Sequence, residues 1–403
     1  MTITNVTEIE RVPAAAWRML ALGVAAQTSG TFLVSTPAFL IPLLHLQWGI
    51  PLAQAGLLAA APTLGMVLTL VVWGALADRF GERWVIAGGL ALTALLALAA
   101  APVQGLVGLG VLLMLGGAAS SSTNAASGRI VVGWFPRPRR GLAMGIRQMS
   151  QPLGVALAAV IVPPLAANFG IGAPLLVAGL TTAILAAACA IGITNPPRPT
   201  NTAPATATAG TVTPYAQSSF LLRIHLVSIL LVVPQFTLST FGLVWFISAL
   251  HWNAVAAGSV IALSQFVGAI GRIVVGSISD RLDSRVGVLR WVAISGVAVM
   301  LLLAAAGGLQ WNAAAAIMLV IATTVSVADN GLAFTSVAEA ADPSWSGRVL
   351  GVHNTGQFIA ASAVGPAIGA LITIIGYPLT FALLAIAPLV SIGLIPRVDK
   401  HWN

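Results

Sequence analysis

Charge is what this sequence has least of. Only 7% of its 403 residues are Asp, Glu, Lys or Arg, against about 25% in soluble domains, while 58% are hydrophobic and the mean hydropathy is +0.98. A soluble globular chain is thereby excluded, and the composition predicts a polytopic membrane protein whose surroundings are the lipid bilayer. Cysteine is almost missing as well. The one present, Cys189, sits in an apolar segment, so no disulfide, CxxC pair or thiolate metal site can form within one chain. No GxxxxGK[ST] phosphate loop occurs, and no polar segment is long enough to house a nucleotide domain, which disfavours a primary pump. Paired carboxylates, a nucleophile with its base and clustered metal ligands are lacking too. His45, His225, His251, His353 and His401 stand apart in sequence, so neither an enzyme nor a metal or other cofactor is expected. Lysine is reduced to Lys400 among 18 basic residues, and the net charge of +8 is spread singly beside apolar runs. Such a pattern sets topology and does not make a nucleic-acid surface.

What is there in abundance is long apolar runs. A helix needs roughly 20 apolar residues to cross the hydrocarbon core, which places spans near 17–44, 52–74, 84–103, 106–134, 141–165 and 171–193, then near 220–250, 254–278, 288–307, 312–340, 347–372 and 377–396. The fold expected is all-α, twelve transmembrane helices in two bundles of six. Residues 1–193 form the first bundle and 220–403 the second, joined by a Pro-, Thr- and Ala-rich flexible linker at 194–219. The N-terminal segment carries Glu8 and Glu10 and enters an apolar run longer than a signal-peptide core, so the first run is expected to remain as a helix. Fifteen of the 18 basic residues, from Arg11 to Lys400, flank spans or lie in loops on the N-terminal side; the other three, Arg129, Arg147 and Arg272, lie within spans, and the six opposite loops carry no charge. By the positive-inside rule both termini and the linker are cytoplasmic, in a multi-pass protein of the cytoplasmic membrane, expected to act as a monomer.

The halves repeat each other. "VVWGALADRFGERWVIAGG" at 71–89 and "VVGSISDRLDSRVGVLR" at 274–290 share Gly74, Asp78, Arg79 and Arg83 with Gly276, Asp280, Arg281 and Arg285, 202 residues apart. Residues 123–151 align without a gap at an offset of 206, pairing Asn124 with Asn330, Gly145 with Gly351 and Gln151 with Gln357. Internal repeats in a membrane chain point to a transporter with its site between them. Spans three, six, nine and twelve hold few polar residues, whereas Gln27, Thr31 and Ser35, Ser120 to Asn124, Arg147 to Gln151, Gln235 and Ser239, and Asp329, Asn330, His353, Asn354 and Gln357 fall in the others. Since polar side chains are costly against lipid, eight helices are expected to surround a cavity.

The G-x-x-x-D-R-x-G-x-R run at 74–83, its degenerate copy at 276–285, the "WFPRPRRGLAMG" approach to span five and twelve spans in two sixes resemble the major facilitator superfamily. The resemblance implies a gating motif: Gly74 lets helices approach, Asp78 faces the N-terminal dipole of span eleven, Asp280 does likewise against span five, and Arg79 and Arg83 hold the loop. Asp283 in place of Gly81 predicts a looser second loop. The bland reading is that these are only positive-inside loop residues.

Ionisable residues within spans are site candidates. Arg272 lies eight residues before Asp280, about 12 Å from the membrane boundary at 1.5 Å per residue. Its "GRIVVG" setting resembles the span-eight arginine of monocarboxylate transporters and oxalate/formate antiporters, which binds the substrate carboxylate; a snorkelling or bracing arginine is the alternative. Arg147 and His353 occupy equivalent repeat positions, as cavity or bracing residues, and Arg129 is read as a brace. Asp329 is the one acid well inside any span, either a proton carrier or the permanent counter-ion of an arginine; His353 is a second candidate for a coupled proton. Three arginines against one aspartate favour a small organic anion as substrate, with Arg272, Arg147, His353, Gln27, Asn124, Asn330 and Gln235 as contacts. A multidrug/proton antiporter would want a large apolar pocket and an acid in span one; Trp245 and Phe246 are present in span seven, but span one has no acid. A receptor of the same fold stays open.

Overall fold

The computed structural model describes residues 12–135, 143, 145–195, 215, 218–341 and 346–400, without the side chains of Asp78, Arg129, Val132, Ala338 and residues 346–348. The carboxylate of Asp78, the side chain of Arg129, Gly141 and nearly all of the 194–219 linker therefore lie outside the described residues. Apolar stretches that must satisfy their own peptide groups without water become helices. They are α1 (Ala14–Leu46), α2 (Leu52–Phe80), α3 (Glu82–Ala100), α4 (Leu106–Trp134), α5 (Ser150–Phe169), α6 (Gly172–Gly192), α7 (Phe220–Ser248), α8 (Ala254–Leu282), α9 (Arg285–Gly308), α10 (Asn312–Ala340), α11 (Ser346–Leu384) and α12 (Ile386–Leu394). A short helical lead-in extends α5 back to Gly145.

Among the described residues eleven stretches are long and apolar enough to cross a membrane, the last being the 46 residues Val349–Leu394. As one straight helix it would run about 69 Å, more than twice the ~30 Å hydrocarbon core. Gly376, at φ 77°, breaks it. Its repeat mate 206 residues earlier, Gly170, separates α5 from α6 at φ 80°. The stretch from Tyr377 through α12 is thus the twelfth crossing, and only glycine adopts this backbone without strain.

An even number of crossings puts both ends of the chain on one face, here the termini face; the other is the loop face. At the loop face one apolar core runs through both halves, with Phe39, Leu52, Ala159, Phe241, Ala257 and Ile368 among its members. Toward the termini face it divides into clusters that stay within one half. Backbone meets backbone where the halves join. A Cβ on Gly56 of α2 would lie 2.2 Å from the Gly365 carbonyl oxygen of α11, and one on Gly258 of α8 would lie 2.3 Å from the Ala159 oxygen of α5. Gly56 and Gly258 are repeat mates, as are Ala159 and Gly365, so the two seams are one contact used twice. At the termini face Gly74 and Gly276 have nothing within 4 Å of such a Cβ. Among the described residues the helix approach expected at Gly74 is absent in this conformation, and the halves do not meet there.

The motif loops are tied within each half. The Arg83 amide donates to Asn195 Oδ1 (2.9 Å) and Arg83 Nε to the Ala190 oxygen (2.6 Å) at the end of α6. In the second copy Asp399 accepts from Ser284 Oγ (2.9 Å) and from the amides of Arg285 (3.1 Å) and Val286 (3.0 Å), covering the positive end of α9. Asp283, expected to loosen this loop, closes α8 in the left-handed region at φ 47°. The loop is well bonded after all, because Asp tolerates that backbone and Asp399 supplies the bonds. Asp280 pairs with Arg285 of its own loop, which also reaches Glu339 at 3.3 Å; the start of span five, which it is expected to face, lies largely outside the described residues. Arg79 lies over Phe80, 5.4 Å from the ring centre.

Candidate functional site

Between the halves, two adjoining lobes of about 120 and about 110 Å³ share Asn124, Gln151, Gln235, Phe236, Arg272 and Phe358 in their walls. Those walls come from α1, α2, α4, the α5 lead-in and α5, α7, α8, α10 and α11; α3, α6, α9 and α12 contribute nothing to them. Six of the seven expected contacts line the cavity: Gln27, Asn124, Arg147, Gln235, Arg272 and Asn330.

Each half holds its own network. Gln27 Nε2 of α1 donates to Asn124 Oδ1 of α4 (2.7 Å), Ser127 Oγ to Gln27 Oε1 (3.1 Å) and Arg147 Nε to Ser127 Oγ (2.8 Å). Arg147 also donates from Nη2 to the Asn124 oxygen (3.0 Å) and from Nη1 to Gln148 Oε1 (3.3 Å). With all three of its nitrogens engaged, this arginine braces the α5 lead-in against α4. In the second half Asn330 Nδ2 donates to Gln235 Oε1 (3.0 Å), and Gln357 Nε2 donates to Asn330 Oδ1 (3.0 Å) and to Ser228 Oγ. Buried amides so satisfied hold one geometry, since breaking a link would orphan its partner.

Arg272 differs from Arg147. Its Nε donates to the Val327 oxygen of α10 at 3.1 Å, and its two terminal nitrogens make no hydrogen bond to the described residues. The bond pins the stem of the side chain and leaves the fork free at the junction of the lobes.

Asp329 lies two residues past Val327 and is 1% exposed. Neither of its oxygens has a side-chain hydrogen-bond partner among the described residues. It borders a small apolar void with Leu231, Pro234, Met300 and Pro388 rather than the central cavity. Arg272 is the cation whose field reaches it, beyond ion-pair distance. The acid and the arginine are thus coupled at a distance, with no ion pair within 4 Å among the described residues.

His353 is the expected contact that departs. It is 1% exposed and turned away from the cavity; its Nδ1 meets His225 Nδ1 at 3.0 Å, and Phe334 stands edge-on to its ring at 4.8 Å. Tyr215 Oη completes the chain at 3.0 Å from His225 Nε2. Sequence separation hid this pair, because the two imidazoles are 128 residues apart. Gln265 is a wall residue the sequence reading passed over, although it precedes Arg272 by seven residues and so shares its helix face. Trp245, fully buried against Phe381, packs the loop-face core and not the cavity.

Residues 20–364 match the family model of the Major Facilitator Superfamily. An uncharacterized MFS-type transporter of Mycobacterium tuberculosis is 42% identical over 382 residues, 95% of this chain and 85% of its own length. The hexuronate transporter of Bacillus subtilis is 27% identical over 116 residues, 29% of this chain and 28% of its own. Among solved structures, a bacterial homolog to the human lysosomal transporter Spinster, in an inward-facing and occupied conformation, shares the fold with a TM-score of 0.76 at 13% identity, covering 94% of this chain and 95% of that one.

Proposed function

The chain belongs to the major facilitator superfamily of transporters, and on that premise we propose that it carries a small organic anion, a carboxylate, across the cytoplasmic membrane by alternating access. The observation that carries this reading is the free guanidinium fork of Arg272 in a cavity whose walls hold no Asp or Glu among the described residues. A fixed fork grips a carboxylate through two parallel hydrogen bonds, and an anion balances buried positive charge at lower cost than an empty site. Gln151, Gln235, Asn330 and Asn354 around it suit a substrate with hydroxyl or carbonyl groups beside its acid. The partial likeness to a hexuronate transporter points the same way.

With the termini cytoplasmic, as the placement of basic residues favours, the parted termini face makes this conformation inward-open. Residues 1–193 and 220–403 rock as two bodies around the cavity, opening the glycine seams at the loop face while the motif ends close. Asp329 carries any coupled proton: an ionised carboxylate in an apolar void lacks the partners that repay its desolvation, which suits a group that takes up and releases a proton as Arg272 is filled or vacated. The multidrug reading is weaker, because the large apolar cavity of this chain, about 620 Å³, lies outside the interface of the halves.

The test begins with a thermal-shift screen of small carboxylates, amines and sugars to find a ligand, followed by uptake in proteoliposomes. Arg272→Ala is expected to abolish uptake with the fold intact, and Arg272→Lys, which keeps the charge and loses the fork, to leave it well below wild type. Normal uptake of an identified substrate by Arg272→Ala would make the arginine a brace and remove the support for an anion.

A further inference from the structure

The cavity of about 620 Å³ lies on the flank of the first half, between α1, α5 and α6. Both α5 and α6 pack on α1 far more than on each other, which leaves a furrow with α1 as its floor. The floor is low because Ala21 and Ala25 occupy it, and the walls are high because Leu157 and Ile161 rise from α5 and Val177 and Leu185 from α6. Leu157 is 45% exposed, so the furrow opens sideways, toward the bilayer. A void there would forfeit the contacts of every wall atom, and at that depth the available filler is hydrocarbon.

Its ends give the filler a length and a charge. From Trp17 to Phe32 the floor runs fifteen residues, about 22 Å, whereas a single leaflet of a ~30 Å core is about 15 Å deep. The furrow therefore starts at the headgroup level of the leaflet on the termini side and passes the midplane. Trp17 sits at this mouth, partly exposed and edge-on to Phe135, the position a tryptophan takes at a membrane interface. Arg18, also exposed, follows by 100° on the helix wheel, within the arc of α1 that faces the furrow. The first turn of α1 holds no acidic residue, and its amides have no side-chain cap among the described residues, so the helix adds its own positive end.

We propose that one acyl chain of an anionic phospholipid from the termini-side leaflet lies in this furrow, with its phosphate held by Arg18 at the mouth. The site is independent of the substrate cavity: α5 presents Leu153, Leu157 and Ile161 to the furrow but Gln151, Pro152 and Val155 to the cavity. Lipid and substrate can thus be bound together.

Native mass spectrometry of the full-length protein, released from vesicles of equal parts phosphatidylglycerol and phosphatidylcholine, tests this. Wild type is expected to keep about one lipid, phosphatidylglycerol about fivefold over phosphatidylcholine, the worth of one basic residue at an anionic surface. Ala25→Trp fills the furrow and should lose most of the retained lipid. Arg18→Gln should keep a chain but lose the headgroup preference. Leu157→Trp, on the lipid-facing wall, serves if Ala25→Trp does not fold, as judged by size exclusion and thermal melting. Undiminished retention in a folded furrow-filling variant, or no lipid on wild type, overturns the site; an unchanged preference in Arg18→Gln overturns the headgroup assignment.

Discussion

Gly365→Ala is the smallest change that should move this protein between its conformations. The added methyl would stand 2.0 Å from the Gly56 carbonyl oxygen and 3.2 Å from Ala60 Cβ. Carbon and oxygen meet at about 3.3 Å, so α2 and α11 must part by roughly 1.3 Å or bend. Overpacking of this size costs about 1–3 kcal/mol. That cost falls only on the state in which the seam is closed and vanishes when the loop face opens, so all of it becomes population shift. At 1.4 kcal/mol per tenfold, the shift is about 5- to 150-fold toward the loop-open state. A cysteine placed at Ala38, in the cavity wall on α1, reports it by its reaction with a membrane-impermeant maleimide added at the loop face. Labelling should accelerate by that factor in Gly365→Ala. Gly74→Ala, whose methyl meets nothing within 4 Å among the described residues, leaves the closed seam untouched and should not accelerate labelling. Equal labelling of the folded Gly365→Ala variant and wild type would refute the role of the glycine seam in holding the loop face shut.

Three further outcomes are expected. Asp399→Ala removes the acceptor of three hydrogen bonds at the start of α9 and should lower stability by about 0.5–2 kcal/mol, the worth of a helix cap; an unchanged melting temperature would show the tail to be idle. Asp329→Asn should spare substrate exchange yet remove the dependence of net transport on a pH gradient, and transport that still follows the gradient would take the proton elsewhere. A cysteine at Gly170 or Asn312 should react with a reagent added outside the cell and one at Thr206 should not, with the reverse pattern overturning the orientation.

The sequence by itself determined the class, the spans and most of the cavity wall. Apolar runs of about 20 residues have one solution in a bilayer, and polar residues in such runs have one affordable direction, so Gln27, Asn124, Gln235 and Asn330 could be placed from composition alone. The repeat added the pairing of Arg147 with His353, but equivalent positions need not do equivalent work. Tertiary structure decided that Arg147 spends its nitrogens bracing α4 while His353 turns away to meet His225, because hydrogen-bond partners 20 to 128 residues distant carry no local signal. The freedom of the Arg272 fork was likewise invisible in "GRIVVG", since it depends on one carbonyl of α10 taking Nε and no acid taking the rest. Which face was closed was beyond the sequence too. The chain carries close-packing glycines at both ends of its helices, those at 56, 258 and 365 and those at 74 and 276, and only the assembled halves show which set is in use.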